Sequence, residues 1–434
     1  MKTRWPKLVF LGALALSATS SAAQRAVPLP NTTPEAQGFD TARLKKLDET
    51  MAKAVAAQQV GGMVTLLARD GKVVSFKAYG DAAPGRPMTR DTIFRIYSMT
   101  KVVTAVAMMM LYEEGKWTLD DPVTKFVPEL TKLKVAAGVD KDGKPILEPM
   151  KRPPTMRDLM SHMVGFSGGF SSGPVADIFR KQDPMGAANL QEMVERLADV
   201  PLLFQPGTDW EYSIAVDVQG LIVERLSGMK FGDYLRSRIF DPLGMVDTAF
   251  YVPPEKYGRF ASLYSHDPSG KLVPGGTFRG LPLPDYRTPP RIESGGGGLV
   301  STIDDYARFA EMLTNRGALG KVRLLAPATI EVMQANVVPD EVIAAGNPYP
   351  RFSKGVGWGM GVMTVNDPRL AGRLEGKGTI SWEGAAGTWF WADPANHLLF
   401  VGMVQNFETA GPRGYDGSGM GPARALVYQA LVEP

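Results

Sequence analysis

The chain has 434 residues, enough for a sizeable core, with 44% hydrophobic and 21% charged residues as in an ordinary globular protein. Its formal charge is +3, but the first 23 residues carry three bases and no acid, so the remainder holds 45 bases against 45 acids and shows no basic footprint for nucleic acid. There are no cysteines, which excludes disulfides, thiol catalysis and lipid attachment through an N-terminal cysteine; three scattered histidines (His162, His266, His397) without metal-ligand spacing read as structural or surface residues.

The chain opens with a basic stretch through Lys7, an apolar run from Leu8 to Ala18, and small residues ending Ser21-Ala22-Ala23. This pattern predicts a secretory signal over residues 1–23, cleaved before Gln24, and a periplasmic or secreted mature protein. The apolar run is shorter than the ~20 residues a span needs, so stable membrane insertion is not expected.

Past a proline-rich arm, Asp40 is placed to cap a helix with Leu44, Leu47, Met51 and Val55 on one face. A hairpin follows, with arms Met63 to Arg69 and Lys72 to Tyr79 joined by Asp70-Gly71, the residues a type I′ turn favours. From Ser98 to Glu114 the chain is apolar on all sides, which predicts a helix buried within a domain; its three consecutive methionines read as core filler.

Between about 118 and 290, helical segments (Met156 to Met163, Leu190 to Ala198, Ile214 to Ser227, Phe231 to Ile239) alternate with Pro- and Gly-rich loops. The tract Ser294 to Gly298 ends this region, and Thr302 can cap a helix through Thr314. Gly355 to Val365, Thr379 to Trp382, Thr388 to Trp391 and Leu398 to Gln405 then read as strands, and Pro422 to Leu431 as a closing helix. The economical assembly is of the α+β class: residues 35–117 and 291–434 build one sheet covered by helices, with 118–290 inserted as a helical domain.

The chemistry centres on Ser98-Met99-Thr100-Lys101. A serine hydroxyl needs a base to take its proton, and a lysine three residues on along a helix shares its face. Burial beside an apolar helix disfavours the ammonium, which is what a lysine base requires. Alone this spacing is weak evidence, because Ser227-Gly228-Met229-Lys230 repeats it, there at a helix end that Gly228 can cap. Ser167 and Ser171 lie in Gly-x-Ser-x-Gly patterns, but a helical stretch precedes them where a nucleophile elbow needs a strand.

Company raises Ser98 above these decoys. Its segment resembles the first motif of the beta-lactamase and penicillin-binding protein superfamily, Pro206-Gly207-Thr208-Asp209-Trp210-Glu211-Tyr212-Ser213 resembles the tyrosine-bearing second motif, and Ser294 to Thr302 and Trp382 to Thr388 complete the match in order. The chain from about residue 35 is most similar to the class C beta-lactamase-like family VIII carboxylesterases. The resemblance implies an antiparallel sheet flanked by helices, with the active site between the sheet domain and the helical insertion. It implies Ser98 as nucleophile, Lys101 as proton acceptor and Tyr212 as a shuttle to the leaving group, acting as a phenolate near neutrality if the lysine charge is close. The oxyanion hole would take backbone N–H groups of Ser98 and Ala385, with Trp382, Glu383 and Gly384 at the substrate, and no cofactor or metal is implied.

Departures set the expected substrate. The lactamases and peptidases begin the third motif with a lysine that holds a carboxylate; Trp382 stands there, followed by Glu383 where many related esterases have glycine. Lys377-Gly378-Thr379 lies just upstream as another possible source of a cation, and Ile214 replaces the asparagine found two places after the lactamase tyrosine. The expected activity is hydrolysis of small-molecule, short-chain esters through an acyl-enzyme. The alternatives are a beta-lactamase or D-amino-acid peptidase, or a non-catalytic cell-envelope binding protein, which would require Ser98, Lys101 or Tyr212 to be missing.

Overall fold

The computed structural model describes residues 28–169, 172–275, 284–345, 352–407 and 420–433. The expected signal segment and Ser171 lie outside these residues.

Asp40 caps the Thr41–Ala56 helix, its carboxylate accepting the Arg43 amide at 2.8 Å. The strands Gly62–Arg69 and Lys72–Ala83 pair across Asp70-Gly71, whose φ values of 50° and 70° are those of a type I′ turn. These strands and Arg86–Pro87 form one edge of an eight-stranded antiparallel sheet; Val356–Trp358, Met363–Val365, Ile380–Glu383, Trp389–Asp393 and Leu398–Val404 supply the rest. The two chain ends meet where Gly62–Arg69 pairs with Leu398–Val404, Leu66 facing Val401.

Alternation along the strands splits the core into two layers. Met63, Leu67, Trp389, Trp391 and Phe400 face the Thr41–Ala56 and Met420–Tyr428 helices through Leu44, Met51, Ala423 and Val427. Val64, Leu66, Phe390, Leu399 and Val401 face the opposite layer, where Ile303–Thr314 and the Thr100–Glu113 helix pack. Trp391 stacks on Phe400 at 4.6 Å, and the Trp389 ring crosses Gly402, where an added Cβ would meet it at 2.2 Å. Glycine is thus required at position 402 by the indole that the neighbouring strand lays across it.

Gly355 to Val365 forms two strands where its composition predicts one. The chain reverses at Gly359 and Gly361; Gly361 has a φ of 77°, and the Gly359 amide bonds the Val362 carbonyl at 2.8 Å. The middle of the chain contains the helices Met156–Met160, Leu190–Leu197, Ala215–Ser227 and Phe231–Leu235. It also holds elements not expected there: the hairpins Lys134–Val139 with Pro145–Pro149 and Tyr264–His266 with Leu272–Pro274, and the amphipathic Pro174–Gln182 helix, which buries Val175, Ala176 and Phe179. No helix among the described residues is long and apolar enough to cross a membrane.

Candidate active site

Ser98 lies in a short 3-10 turn, Tyr97–Met99, that runs directly into the Thr100–Glu113 helix, a turn earlier than a simple helix start would place it. The entry is fixed on both sides. Phe94–Arg95 pairs with Val300–Ser301, and Tyr97 takes a φ of 41°, unusual for a bulky residue, held by edge contacts to Tyr286 at 6.0 Å and Phe407 at 5.2 Å.

Every residue of the helix from Thr100 to Leu111 is buried, Lys101 included at 6% exposure. Its Nζ reaches Ser98 Oγ at 3.5 Å and donates to the Gly296 carbonyl at 2.5 Å. Burial pulls the ammonium down to about 8, against the opposing pull of the Asp217 carboxylate. A lysine so placed is neutral in a sizeable fraction at mildly alkaline pH.

Tyr212 completes the group. Lys101 Nζ lies 4.5 Å from its ring centre, and its hydroxyl hydrogen-bonds Ser98 and accepts the Trp382 Nε1–H at 3.4 Å. Burial pushes the phenol above its ordinary value; the bonds to Ser98 and Trp382 oppose this, and the Glu383 and Asp217 charges add to it. The balance of these causes favours the neutral phenol over the phenolate.

Trp382 is 1% exposed, so its indole offers a substrate little surface; what it offers is its N–H to Tyr212, with Trp358 packed edge-on at 4.8 Å. Gly384 is buried, and a Cβ there would meet the Ile96 carbonyl at 2.4 Å and Thr388 Oγ1 at 2.2 Å. Its lack of a side chain lets this strand end approach the Ser98 segment, leaving the next residue, Ala385, exposed. Glu383 is half-buried, near enough for its charge to act on Tyr212. Lys377 is exposed, in the turn that precedes the Ile380–Glu383 strand.

The decoys separate from this group. Ser167 is fully buried in a loop after the Met156–Met160 helix, and its Oγ accepts the Gly169 amide at 3.1 Å. Ser227 bonds the Val223 carbonyl at 2.6 Å at a helix end capped by Gly228, whose φ is 72°.

Two residues not singled out by the motifs belong to the site. His162, buried, packs against Tyr212 at 5.1 Å, Trp358 at 5.2 Å and Trp210 at 5.6 Å, and its Nδ1 accepts the Ser213 amide at 3.3 Å. Burial and the Lys101 charge keep this imidazole neutral. Asp217, in the first turn of Ala215–Ser227, accepts from Ser294 Oγ at 2.5 Å and the Gly296 amide at 3.1 Å. An acid inside the apolar run Ala215-Val216-Asp217-Val218 was the available sequence signal, since a buried charge needs partners.

A family model described as Beta-lactamase matches residues 47–422. Protein Rv1367c of Mycobacterium tuberculosis is 37% identical over 80% of this chain and 86% of its own length. Esterase EstB of Burkholderia gladioli is 32% identical over 82% of this chain and 89% of its own. Among solved structures, EstCE1, described as a hydrolase with promiscuous acyltransferase activity, is similar with a TM-score of 0.73 and 25% identity, covering 90% of this chain and 99% of that one.

Proposed function

The chain belongs to the beta-lactamase family, and from that premise we propose that it is a serine esterase in which Ser98 carries the acyl group, Lys101 moves its proton and Tyr212 relays it. The observation that carries this reading is the meeting of these three side chains around one hydroxyl, with an indole where a carboxylate-binding cation would stand.

The neutral Lys101 amine takes the Ser98 proton as Oγ adds to the ester carbonyl carbon. The backbone N–H groups of Ser98 and Ala385 face the oxyanion formed. When the C–O bond breaks, the leaving alkoxide takes the Tyr212 proton and Tyr212 recovers one from Lys101, so the amine is again neutral. Water then adds to the acyl-enzyme by the same relay, releasing the acid and returning the proton to Ser98. The long contact of 3.5 Å between Lys101 and Ser98 is one that substrate binding can tighten.

Short esters are the favoured substrates. Without the cation, a carboxylate-bearing substrate loses a charge-assisted contact typically worth about 1.5–3 kcal/mol, roughly ten- to a hundredfold in binding. Amide cleavage also demands better proton delivery to its leaving amine, and Ile214 supplies no polar group after Tyr212. On purified mature protein, kcat/KM for p-nitrophenyl acetate or butyrate is expected to exceed that for a chromogenic cephalosporin or a D-alanyl peptide by about a hundredfold or more. A higher kcat/KM for the cephalosporin would overturn the assignment in favour of a beta-lactamase.

The EstCE1 description favours a second reading of the same site, in which an alcohol takes the place of water in the second half-reaction. Adding a small alcohol to the ester assay and finding the transesterified product would support it. The charge and apolar pattern of residues 1–23 supports export to the periplasm or medium as the setting.

A further inference from the structure

The tract Ser294 to Gly298 forms a turn clamped between two helices. From the Thr100–Glu113 helix, Thr104 Oγ1 donates to the Gly295 carbonyl at 2.9 Å, and Thr100 Oγ1 accepts the Leu299 amide at 3.2 Å. On the other side, a Cβ at Gly295 would meet the Val216 carbonyl at 2.5 Å, and one at Gly296 would meet Asp217 Oδ2 at 2.7 Å. These glycines are there because side chains do not fit. Asp217, 5% exposed, holds the turn by Ser294 Oγ and the Gly296 amide, and the carbonyl of that same Gly296 receives Lys101 Nζ.

We propose that Asp217 is a positioning residue of the esterase reaction: it fixes the glycine turn whose Gly296 carbonyl sets the Lys101 amine against Ser98. This rests on Lys101 acting as the base for Ser98. Asp217 touches no substrate in this role; it acts through Ser294 and Gly296. A second consequence is electrostatic. The groups facing Lys101 are the Asp217 carboxylate, the neutral His162, the Tyr212 phenol and the Ser98 hydroxyl, with Glu383 acting on Tyr212. Of these, Asp217 alone lends the lysine a compensating negative charge, opposing the burial that pulls its ammonium down to about 8.

The test compares pH profiles of ester hydrolysis for the wild type, Asp217→Asn and Ser294→Ala. Removing the negative charge destabilises the ammonium, so Asp217→Asn is expected to move the acidic limb of kcat/KM to lower pH by about one unit. With the turn loosened, plateau kcat is expected to fall about tenfold while KM changes less than about twofold. Ser294→Ala keeps the charge and loses one link, so its limb stays in place and its plateau kcat falls by about threefold. A purely structural role for Asp217 would lower thermal stability without moving the limb. If the wild type shows an acidic limb and Asp217→Asn leaves limb and plateau unchanged, the positioning role is wrong and the base role of Lys101 stands. If the wild type shows no acidic limb, the base role itself falls. Should Asp217→Asn fail to fold by circular dichroism, an unchanged plateau kcat in Ser294→Ala overturns the proposal.

Discussion

Alanine at Ser98 is expected to lower kcat/KM for p-nitrophenyl butyrate by about 10⁴-fold or more, leaving only what binding and the oxyanion donors supply without a nucleophile. The size of the effect follows from the arrangement: Lys101 and Tyr212 both point their polar atoms at this one hydroxyl, so removing it leaves them no nucleophile to activate. Ser98 is only half-buried, and the change deletes a single oxygen, so the melting temperature is expected to stay within a few degrees of the wild type. The matched control is Ser167→Ala. Ser167 is fully buried with its hydroxyl on the Gly169 amide, so its loss should reduce stability slightly and leave kcat within about twofold. Steady-state assays of the two variants, with circular dichroism to confirm folding, check both statements. An active Ser98→Ala enzyme would remove the basis of the mechanism.

The second large effect is expected at Lys101. Arginine keeps the positive charge but its guanidinium does not give up a proton in the working range, so Lys101→Arg is expected to lose about 10³-fold in kcat. In the wild type, the lysine must be neutral to accept the Ser98 proton. Since burial holds its ammonium at about 8, kcat/KM should rise with pH through that value and level off above it. The sign is informative: a carboxylate base would complete its titration well below neutrality, and the neighbouring His162 is kept neutral across the same range by burial and the Lys101 charge. Near-normal turnover by Lys101→Arg, or a rate independent of pH between neutrality and mild alkalinity, would contradict the base role.

What the sequence made legible was local. Asp40 and Thr302 cap their helices, Asp70-Gly71 makes its turn, and the alternation in Trp389 to Asp393 sends indoles to one layer and Phe390 to the other, because these features depend on a few neighbouring residues. Gly355 to Val365 was harder: its apolar residues suit one long strand, and the reversal depends on the glycines at 359 and 361. The Lys134–Val139 and Pro145–Pro149 hairpin mixes Lys, Gly and Pro with exposed apolar residues and has no clean alternation to read.

Within the site, Ser98, Lys101 and Tyr212 stood out because several motifs occur together in order, and the structure brings their side chains together. The roles of their neighbours depended on contacts distant in sequence. Trp382 reads as a residue at the substrate until its N–H is found on Tyr212, 170 residues away. Asp217 meets Ser294 across 77 residues, and His162 meets Ser213 across 51. No local pattern encodes such pairings, although a charged residue in an apolar helical turn signals that a partner exists.

The most direct measurement is covalent. Purified protein incubated with a serine-directed fluorophosphonate, digested and mapped by mass spectrometry, is expected to carry one adduct, on the peptide containing Ser98, with labelling that accelerates as Lys101 loses its proton near pH 8. An adduct on Ser167 or Ser171 with Ser98 unmodified would contradict the account.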